Sequence, residues 1–411
     1  MRPLSNARAA LIGKPLGHSY SKQIHEKFGY SYDLCETEPE DLGALLRSGK
    51  YVGFNVTIPY KKEVIKHLDG LDEVAEETGA VNTVKVRNTG LFGYNTDAYG
   101  LEFLLRTEGF DVAGKKAMVL GTGGTSHTAR YVLKKLGAAE IITVGRTSPV
   151  NYENCYLAEG VKMILNATPV GMYPDADGCP IDPARFPSLE GVADVIYNPL
   201  NTALVRKARS LGIKACGGLK MLVAQAVRSA EIFTDAKISP AEAEKVYREV
   251  RNNSCGVVFI GMPGSGKTTL GRLTAGITGK EFIDTDEEIE KRFGKSIGRI
   301  FAEDGEEVFR KAEEDAIRAA AKKRNAVVST GGGAVLRDSN RFAIRENSVV
   351  IAVERRVETL EISGRPLSRS MEKLMEMERV RMPIYRDLAD FRINNDGDIN
   401  SALEKIKEFL L

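Results

Sequence analysis

The sequence predicts an α/β protein, and three observations lead to that prediction. Segments with helical spacing alternate with short apolar runs from one end of the chain to the other. Two of these runs, residues 117–120 and 257–260, lead directly into glycine-rich turns. A helical pattern follows each turn, and a strand, a glycine turn and a helix in that order are typical of phosphate-binding loops. The chain is therefore expected to contain two nucleotide-binding regions.

The length and composition are those of an ordinary globular protein. The chain has 411 residues, of which 43% are hydrophobic and 28% charged, and at roughly 150 residues per domain this predicts two or three domains. The net charge of +2 is too small to favour nucleic acid or an anionic membrane surface as the main partner. No apolar run reaches the ~20 residues of a membrane span, and residues 1–10 lack the apolar core of a signal peptide.

The cysteines and histidines argue against two further classes of site. The five cysteines are scattered without a C-x-x-C pair, and there are only four histidines. This pattern disfavours a disulfide framework, a zinc site and a His-rich metal centre. We therefore expect a cytoplasmic protein.

The main domain boundary is expected near residues 251–254. A charged helix is predicted to start at Ser239-Pro240, with proline in its first position, and to end at about Val250. A buried strand begins at Val257. The few polar residues between them predict a short linker with little freedom.

The second half opens with a complete phosphate-binding motif. Residues 261–268, GMPGSGKT, fit the pattern G-x-x-x-x-G-K-[ST]. The glycines let backbone N–H groups surround a phosphate, Lys267 can reach the β and γ phosphates, and the Thr268 hydroxyl can bind Mg²⁺. The following helix adds the positive end of its dipole. The motif predicts a site for ATP and Mg²⁺.

Further acids, glycines and arginines in this half suit a small anionic substrate. Asp284 and Asp286 end a predicted strand, and alternation would point both carboxylates to one side. The alternative is that they cap the acidic helix that follows. Another strand runs into the glycine turn 331–333. Three arginines in separate motifs could each hold a carboxylate through two parallel hydrogen bonds, namely Arg310, Arg365 and Arg381.

These motifs, from Val257 to about Phe391 and in the same order, resemble the shikimate kinase family. The resemblance implies that Asp284 helps to hold Mg²⁺ and that Asp286 positions the shikimate hydroxyl and acts on its proton. Arg365 would come from a lid and stabilise the transferring phosphoryl group. The other implied shikimate-binding residues are Arg310, Gly332, Gly333 and Arg381.

The same resemblance assigns the nucleotide site and exposes one departure. The residues implied to bind ATP are Gly264, Gly266, Lys267, Thr268 and Thr269, with Thr268 also a metal ligand. The segment 360–372 is shorter than the usual lid of the family, so contacts between lid and ATP are expected to differ.

The first half carries a weaker nucleotide signal. Residues 121–124, GTGG, follow a strand, but a plain structural turn explains such a motif equally well. The next strand, residues 141–144, ends at Gly145-Arg146-Thr147, where an NAD site usually has an acid for the ribose hydroxyls. An arginine there suits a 2′-phosphate, which favours NADP, whereas the alternative is an ordinary surface loop.

The first 100 residues supply many hydrogen-bonding side chains. A polyhydroxylated acid needs such neutral groups, and serine, threonine and asparagine recur in motifs here. Lys61 and Asp97 form an acid–base pair suited to carbonyl reduction. A lysine beside a carboxylate can stabilise or protonate the alkoxide that develops while hydride arrives at carbon.

These segments, together with motifs at residues 166–172, 194–199 and 219–226, resemble the shikimate dehydrogenase family over about residues 10–232. The resemblance implies that Lys61 and Asp97 are catalytic. The implied shikimate-binding residues are Ser19, Ser21, Thr57, Asn82, Asp97, Tyr197 and Gln225. The implied cofactor-binding residues are Gly121, Gly123, Gly124, Arg146, Thr147, Thr168 and Met172.

The two resemblances together imply three domains. Residues 1–100 would form a mixed α/β substrate-binding domain onto which helices of residues 222–250 pack back. Residues 101–221 would form a Rossmann-like NADP domain, and residues 255–411 a P-loop kinase domain with a parallel sheet. The expected function is NADPH-dependent reduction of 3-dehydroshikimate to shikimate, followed by its ATP-dependent phosphorylation to shikimate 3-phosphate.

Three departures from the dehydrogenase pattern bear on the cofactor. Gly145 stands where the family commonly has asparagine, and His127 stands where an arginine is common. The interval between Thr147 and the next strand, near residues 162–165, is shorter than usual for the family. We therefore expect a cofactor domain that is trimmed on its adenosine side.

Several alternatives stay open from the sequence. The first half could be a binding module without hydride chemistry, or a quinate-type dehydrogenase that uses NAD. The second half could phosphorylate another small molecule, such as a sugar acid, although Arg310 and Arg381 disfavour this. The expected partners are small-molecule substrates, not nucleic acid or membrane, and homo-oligomerisation stays open.

Overall fold

The computed structural model describes residues 7–16, 19–360 and 371–410. The chain divides into two compact units, Met1–Val250 and Arg251–Leu411. Within the described ranges, no helix is both long enough and apolar enough to cross a membrane.

The first unit begins with a mixed sheet of six strands in the order β2-β1-β3-β5-β6-β4. Its strands are β1 Arg8–Gly13, β2 Ser31–Glu36, β3 Gly53–Val56, β4 Gly70–Leu71, β5 Thr83–Arg87 and β6 Gly90–Tyr94. Strand β1 is parallel to both β2 and β3, whereas β5 is antiparallel to β3 and β6. The central strands β1 and β3 are almost entirely buried, and apart from Arg8 at the start of β1 and Asn55 in β3 they lack polar side chains.

A second sheet in the same unit has five parallel strands in the order β11-β10-β9-β7-β8. They are β7 Lys116–Leu120, β8 Glu140–Val144, β9 Val161–Asn166, β10 Gly191–Asp194 and β11 Lys214–Cys216. Between β8 and β9 the chain forms one short 3₁₀ turn, Cys155–Leu157. Strand β8 is therefore an edge strand, in keeping with the short interval noted in the sequence.

The helices of the first unit connect and cover these sheets. They are α1 Ser21–His25, α2 Leu42–Leu46, α3 Glu73–Thr78, α4 Thr96–Thr107, α5 Gly124–Lys135, α6 Ala203–Ser210, α7 Leu219–Thr234 and α8 Pro240–Ser254. Helices α4 and α7 pack closely, because a Cβ on Gly100 would lie 2.5 Å from the carbonyl oxygen of Met221. This close contact brings the first turn of α4 next to the middle of α7.

The second unit is a single sheet of five parallel strands in the order β13-β14-β12-β15-β16. The strands are β12 Gly256–Gly261, β13 Glu281–Asp284, β14 Ala326–Ser329, β15 Ser348–Glu354 and β16 Phe391–Asn394. The helices are α9 Lys267–Thr278, α10 Thr285–Phe293, α11 Ile297–Glu303, α12 Glu306–Ala321, α13 Asp338–Ile344, α14 Met371–Leu388 and α15 Ile399–Leu410. The carboxyl ends of β12, β13 and β14 lie at one edge of the sheet, where open α/β sheets bind ligands.

Two predictions about local structure were wrong. Residues 251–254 form the last turn of α8 and not a linker, so only Cys255 separates the helix from β12. The predicted strand through Asp286 ends at Asp284, and Asp286 lies in the first turn of α10. Strand alternation therefore does not orient its carboxylate.

Two candidate active sites

In the first unit, Lys61 and Asp97 form an ion pair. Lys61 lies in the turn after β3 and Asp97 in the first turn of α4, and the Nζ–Oδ2 distance is 2.6 Å. Their side chains are only 21% and 14% exposed. The side chain of Asn95 accepts a hydrogen bond from the Ala98 N–H and caps α4, which fixes the turn that carries Asp97. The pair is partly shielded from water and can still reach a ligand.

Beside this pair lies a group of buried amides and hydroxyls. The Asn82 amide donates to Thr96 Oγ1 at 3.0 Å and to Gln225 Oε1 at 3.4 Å, and its Oδ1 accepts from the Thr96 N–H at 2.7 Å. Thr96 directly precedes Asp97, so these bonds tie the amides to the ion pair. The structure thus brings together Lys61, Asp97, Asn82 and Gln225 from four separate segments.

The remaining predicted substrate residues come from three other segments. Ser19 and Ser21 lie at the start of α1, where the Ser21 N–H donates to Ser19 Oγ at 3.2 Å. The ring of Tyr20 packs against that of Tyr197, with centroids 5.2 Å apart. Burial raises the pKa of Tyr197, so its phenol stays a hydrogen-bond donor. Thr57 follows β3 and contacts the backbone beside β1, since its N–H donates to the Ile12 carbonyl at 2.8 Å.

The predicted cofactor loop joins β7 to α5. Gly121 has a φ of +108°, a conformation that favours glycine, and α5 begins at Gly124. A Cβ added to Gly123 or Gly124 would meet no atom within 4 Å. The N-terminus of α5 thus faces open space, which suits a dinucleotide diphosphate at the positive end of the helix dipole.

The other predicted cofactor residues follow the neighbouring strands. Arg146 and Thr147 are exposed after β8, and Thr168 and Met172 follow β9. Because β7, β8 and β9 are parallel, all these residues lie at the same sheet edge. The exposed Arg146 guanidinium fits a phosphate on the outer side of such a site.

A buried carboxylate, Asp194, connects the loops after β9 and β10. It accepts hydrogen bonds from Asn166 Nδ2 at 3.1 Å, the Ile196 N–H at 3.0 Å and Thr202 Oγ1 at 2.7 Å. Asn166 in turn accepts from Thr168. Burial raises the pKa of Asp194 to about 6 despite these donors. The sequence contained the surrounding motif, but this role for Asp194 was missed.

The second unit contains a cleft of about 550 Å³ at the edge formed by β12, β13 and β14. Its lining includes all the predicted kinase residues within the described ranges, namely Gly264, Gly266, Lys267, Thr268, Thr269, Asp284, Asp286, Arg310, Gly332, Gly333 and Arg381. Gly264 and Gly266 have φ values of +82° and +99°, and Lys267 donates to two carbonyls of its own loop. The predicted lid residue Arg365 lies outside the described residues.

The sequence left open whether Asp284 faces the ligand end of the sheet or caps the following helix, and its two carboxylate oxygens make one contact of each kind. Its Oδ2 accepts from Thr268 Oγ1 at 2.8 Å, while its Oδ1 caps α10 by accepting from the Asp286 N–H at 3.0 Å. A hydroxyl next to a carboxylate supplies the hard oxygen ligands that Mg²⁺ prefers, and phosphate and water usually complete such sites. Among the described residues there is no cluster of three or more His, Cys, Asp or Glu arranged for a metal.

Asp286 points its carboxylate towards the glycine turn. Burial, followed by the charge of Asp284, raises the pKa of Asp286 to about 6. Within the described part of the chain, its Oδ1 has no hydrogen-bond partner. A Cβ on Gly331 would lie 2.8 Å from that oxygen, so only a glycine at this position leaves room for the carboxylate.

The arginines of the cleft are held by further contacts. Arg310 Nη1 donates to Glu313 Oε2 at 2.9 Å, and a Cβ on Gly333 would lie 2.6 Å from the same nitrogen. Arg381 lies one turn before Tyr385, whose hydroxyl donates to the Gly332 carbonyl at 2.5 Å. Sequence reasoning missed Glu313, although its position three residues after Arg310 on α12 was the available signal.

Comparisons with known proteins agree with these two sites. The family model for the shikimate dehydrogenase substrate binding domain matches residues 11–84, and that for shikimate kinase matches residues 263–411. Shikimate dehydrogenase (NADP(+)) of Clostridium beijerinckii is 34% identical over 263 residues, which are 59% of this chain and 97% of the relative.

Solved structures resemble the first unit. A chorismate mutase/shikimate 5-dehydrogenase fusion protein from Clostridium acetobutylicum is 34% identical, with a TM-score of 0.58 over 60% of this chain and 98% of that one. Shikimate 5-dehydrogenase from Thermus thermophilus, solved with NADP(H) and shikimate, is 31% identical, with a TM-score of 0.52 over 59% and 98%. The chain therefore belongs to the shikimate dehydrogenase family through its first unit and carries a shikimate kinase domain as its second.

Proposed function

We propose that the first unit reduces 3-dehydroshikimate to shikimate with NADPH and that the second phosphorylates shikimate to shikimate 3-phosphate with ATP. The observation that carries the first reaction is the Lys61–Asp97 pair beside the Asn82 and Gln225 amides. The second reaction is supported by a single cleft that holds the phosphate loop together with Asp286 and two arginines.

In the reduction, Lys61 and Asp97 provide for proton transfer to the oxygen of the substrate carbonyl. Bound NADPH supplies the hydride that reaches the carbonyl carbon. Lys61 lies next to the carbonyl oxygen, where its ammonium stabilises the developing alkoxide and donates the proton. Asp97 keeps Lys61 oriented through their 2.6 Å contact. The serines at the start of α1, with Thr57, Asn82, Tyr197 and Gln225, would hold the hydroxyls and carboxylate of the substrate.

The three-domain division explains how substrate and cofactor meet in this unit. Residues 1–100, with 222–250, would hold the substrate, and residues 101–221 would hold NADP through the open N-terminus of α5. Arg146 supports NADP over NAD because its exposed guanidinium suits the 2′-phosphate. The shikimate dehydrogenase (NADP(+)) of Clostridium beijerinckii and the Thermus thermophilus structure solved with NADP(H) support the same preference.

In the kinase cleft, Asp286 accepts the proton of the attacking shikimate hydroxyl. Lys267 and the N–H groups of the phosphate loop bind the β and γ phosphates. Thr268 and Asp284 would hold Mg²⁺, which neutralises charge on the phosphates. Arg310 and Arg381 bind the shikimate carboxylate, and the turn at Gly332 and Gly333 shapes the pocket. Arg365 is proposed to act on the phosphoryl group in transit.

All five cysteines are free, which supports a reducing, cytoplasmic location.

A coupled assay tests the proposal. Purified protein is given 3-dehydroshikimate and NADPH, with and without Mg-ATP, while NADPH absorbance and ADP are followed together. We expect NADPH oxidation in both mixtures and ADP only with ATP present and only after shikimate forms. ADP formation from added shikimate with neither NADPH nor NADH oxidised would make the first unit a binding module. Faster turnover of quinate with NAD⁺ than of shikimate with NADP⁺ would indicate the quinate-type alternative.

A further inference from the structure

The hydroxyl of Ser229 is the centre of a buried hydrogen-bond cluster in the first unit. Ser229 lies on α7 one turn after Gln225, and its side chain is completely buried. Its Oγ is 2.9 Å from Asn55 Nδ2, 2.8 Å from Thr83 Oγ1 and 3.0 Å from Thr96 Oγ1. It also lies 3.0 Å from the Gln225 carbonyl oxygen. Strands β3 and β5 and helices α4 and α7 thus meet at one hydroxyl.

The donors and acceptors of this cluster permit few arrangements. The Asn55 amide nitrogen only donates and the Gln225 carbonyl only accepts, whereas each hydroxyl has one hydrogen to give. Ser229 therefore accepts from Asn55 and donates to the Gln225 carbonyl. Thr83 and Thr96 are left with their own hydrogens, and Thr96 lies 3.2 Å from Asn82 Oδ1 and 3.4 Å from Gln225 Oε1. The side-chain orientations of Asn82 and Gln225 depend on the same bonds.

We infer that Ser229 is a positioning residue for substrate, because it orients the Asn82 and Gln225 amides without touching the ligand. This inference rests on the proposed reduction. Ser229 has no exposed surface through which to touch a ligand, since it is fully buried. Its apolar neighbours on α7, including Val223, Ala226 and Ala230, pack into the core independently of the hydroxyl. Loss of the hydroxyl should therefore free the amides while α7 stays folded.

The test compares Ser229→Ala with Thr234→Val on the same helix. The Thr234 hydroxyl donates only within the helix, to the Ala230 carbonyl at 2.7 Å, and has no part in the cluster. For Ser229→Ala we expect the KM for 3-dehydroshikimate to rise about tenfold, with the KM for NADPH and the kinase constants unchanged. Thr234→Val should leave the KM for 3-dehydroshikimate, the KM for NADPH and the kinase constants unchanged. Thr83→Val, which removes a different hydroxyl of the cluster, should act in the same direction as Ser229→Ala.

The outcomes separate this inference from the proposed function. An inert wild-type protein that oxidises neither NADPH nor NADH would overturn both. An active wild type whose Ser229→Ala variant keeps its KM for 3-dehydroshikimate, or weakens NADPH binding equally, would overturn the inference alone. Kinase activity on the same chain reports whether each variant is intact. If the melting temperature falls equally in Ser229→Ala and Thr234→Val, lost stability does not explain a KM that rises only in Ser229→Ala, which supports positioning.

Discussion

The two sites hold their polar groups in different ways. In the first unit, Asn82, Thr96 and Gln225 are neutral, almost fully buried and bonded to one another around one ion pair. In the second unit, the open cleft is lined by ionic side chains and by glycines that make room for them. Glu313, which is only 1% exposed and pairs with Arg310, is the most buried of these charges.

This difference matches the ligands that each site is proposed to accept. Neutral amides and hydroxyls are buried at little cost when they satisfy one another, whereas a charge must be paired. A polyhydroxylated substrate can be recognised by neutral hydrogen bonds, but a transferring phosphoryl group needs cations and a metal ion. A change to the first site should therefore act through geometry and proton transfer, and a change to the second through charge and space.

The largest expected effect comes from Lys61→Ala. This change removes the proposed proton donor and leaves Asp97 without its 2.6 Å partner. We expect kcat of the reduction to fall about 10³-fold, within the range for a lost acid–base group. Kinase constants measured on the same protein should not change. The matched control is Lys62→Ala, an exposed neighbour, for which the reduction should keep its kcat. Equal losses in both variants would contradict the assignment of Lys61.

A smaller effect is expected from Gly333→Ala in the second unit. The new Cβ would lie 2.6 Å from Arg310 Nη1, so the guanidinium must move away from the proposed carboxylate site. We expect the KM for shikimate to rise about 30-fold while the KM for ATP changes little, because a shifted bidentate contact loses most of its strength. Gly276→Ala on α9 is the control, since its Cβ meets nothing within 4 Å. An unchanged KM for shikimate in Gly333→Ala would contradict the proposal that Arg310 binds shikimate.

Much of the fold could be predicted because buried parallel strands have a simple signature. Strands β7 and β12 are covered on both faces, so their apolar runs and the glycines that follow stand out. Local polar contacts have no such signature. The strand before Asp286 was predicted too long because Asp284 caps α10, and a bond between one side chain and the backbone outweighed the alternation.

The site residues could be proposed from motifs, but their contacts could not. Lys61 and Asp97 are 36 positions apart and Asn82 and Gln225 are 143 apart, so only the tertiary fold brings the members of each pair together. Their assigned roles stay predictions until they are tested. Ser229 illustrates what sequence hides, because a serine within an apolar helix resembles a small core residue until its four partners are known.

Outside its candidate site, the first unit buries another neutral polar group, the His25 ring. Its ring is fully buried, stacks on Tyr32 at 4.2 Å and bonds to the Tyr30 hydroxyl, and burial lowers its pKa to about 3. The folded pKa lies below the unfolded value of 6.5, so the stability it confers is present above pH 6.5 and is lost as pH falls.

Between pH 7 and pH 5 this single group should cost the first unit about 2 kcal/mol of unfolding free energy. Asp194 acts with the opposite sign, because its raised pKa favours the folded state at lower pH. Pulse proteolysis in urea, with fragments of residues 1–250 identified by mass, measures the difference. His25→Asn should remove this loss, so that the variant gains unfolding free energy relative to wild type as pH falls from 7 to 5, and an equal slope in both proteins would show that His25 does not titrate on unfolding.

The smallest expected effect is a difference between the two sites in how strongly salt raises the KM for shikimate. The Debye length falls from about 10 Å at 0.1 M salt to about 3 Å at 1 M, which weakens binding that depends on charge. Arg310 and Arg381 are proposed to hold the shikimate carboxylate in the kinase, whereas hydroxyls and amides are proposed to surround shikimate in the dehydrogenase. Across this range we expect the kinase KM for shikimate to rise about threefold and the dehydrogenase KM for shikimate to stay within about 1.5-fold, both at saturating nucleotide. Arg381→Gln should reduce the salt dependence of the kinase because one cation is gone. Equal salt dependence of the two KM values would mean that charge does not distinguish how the two sites bind the molecule they share.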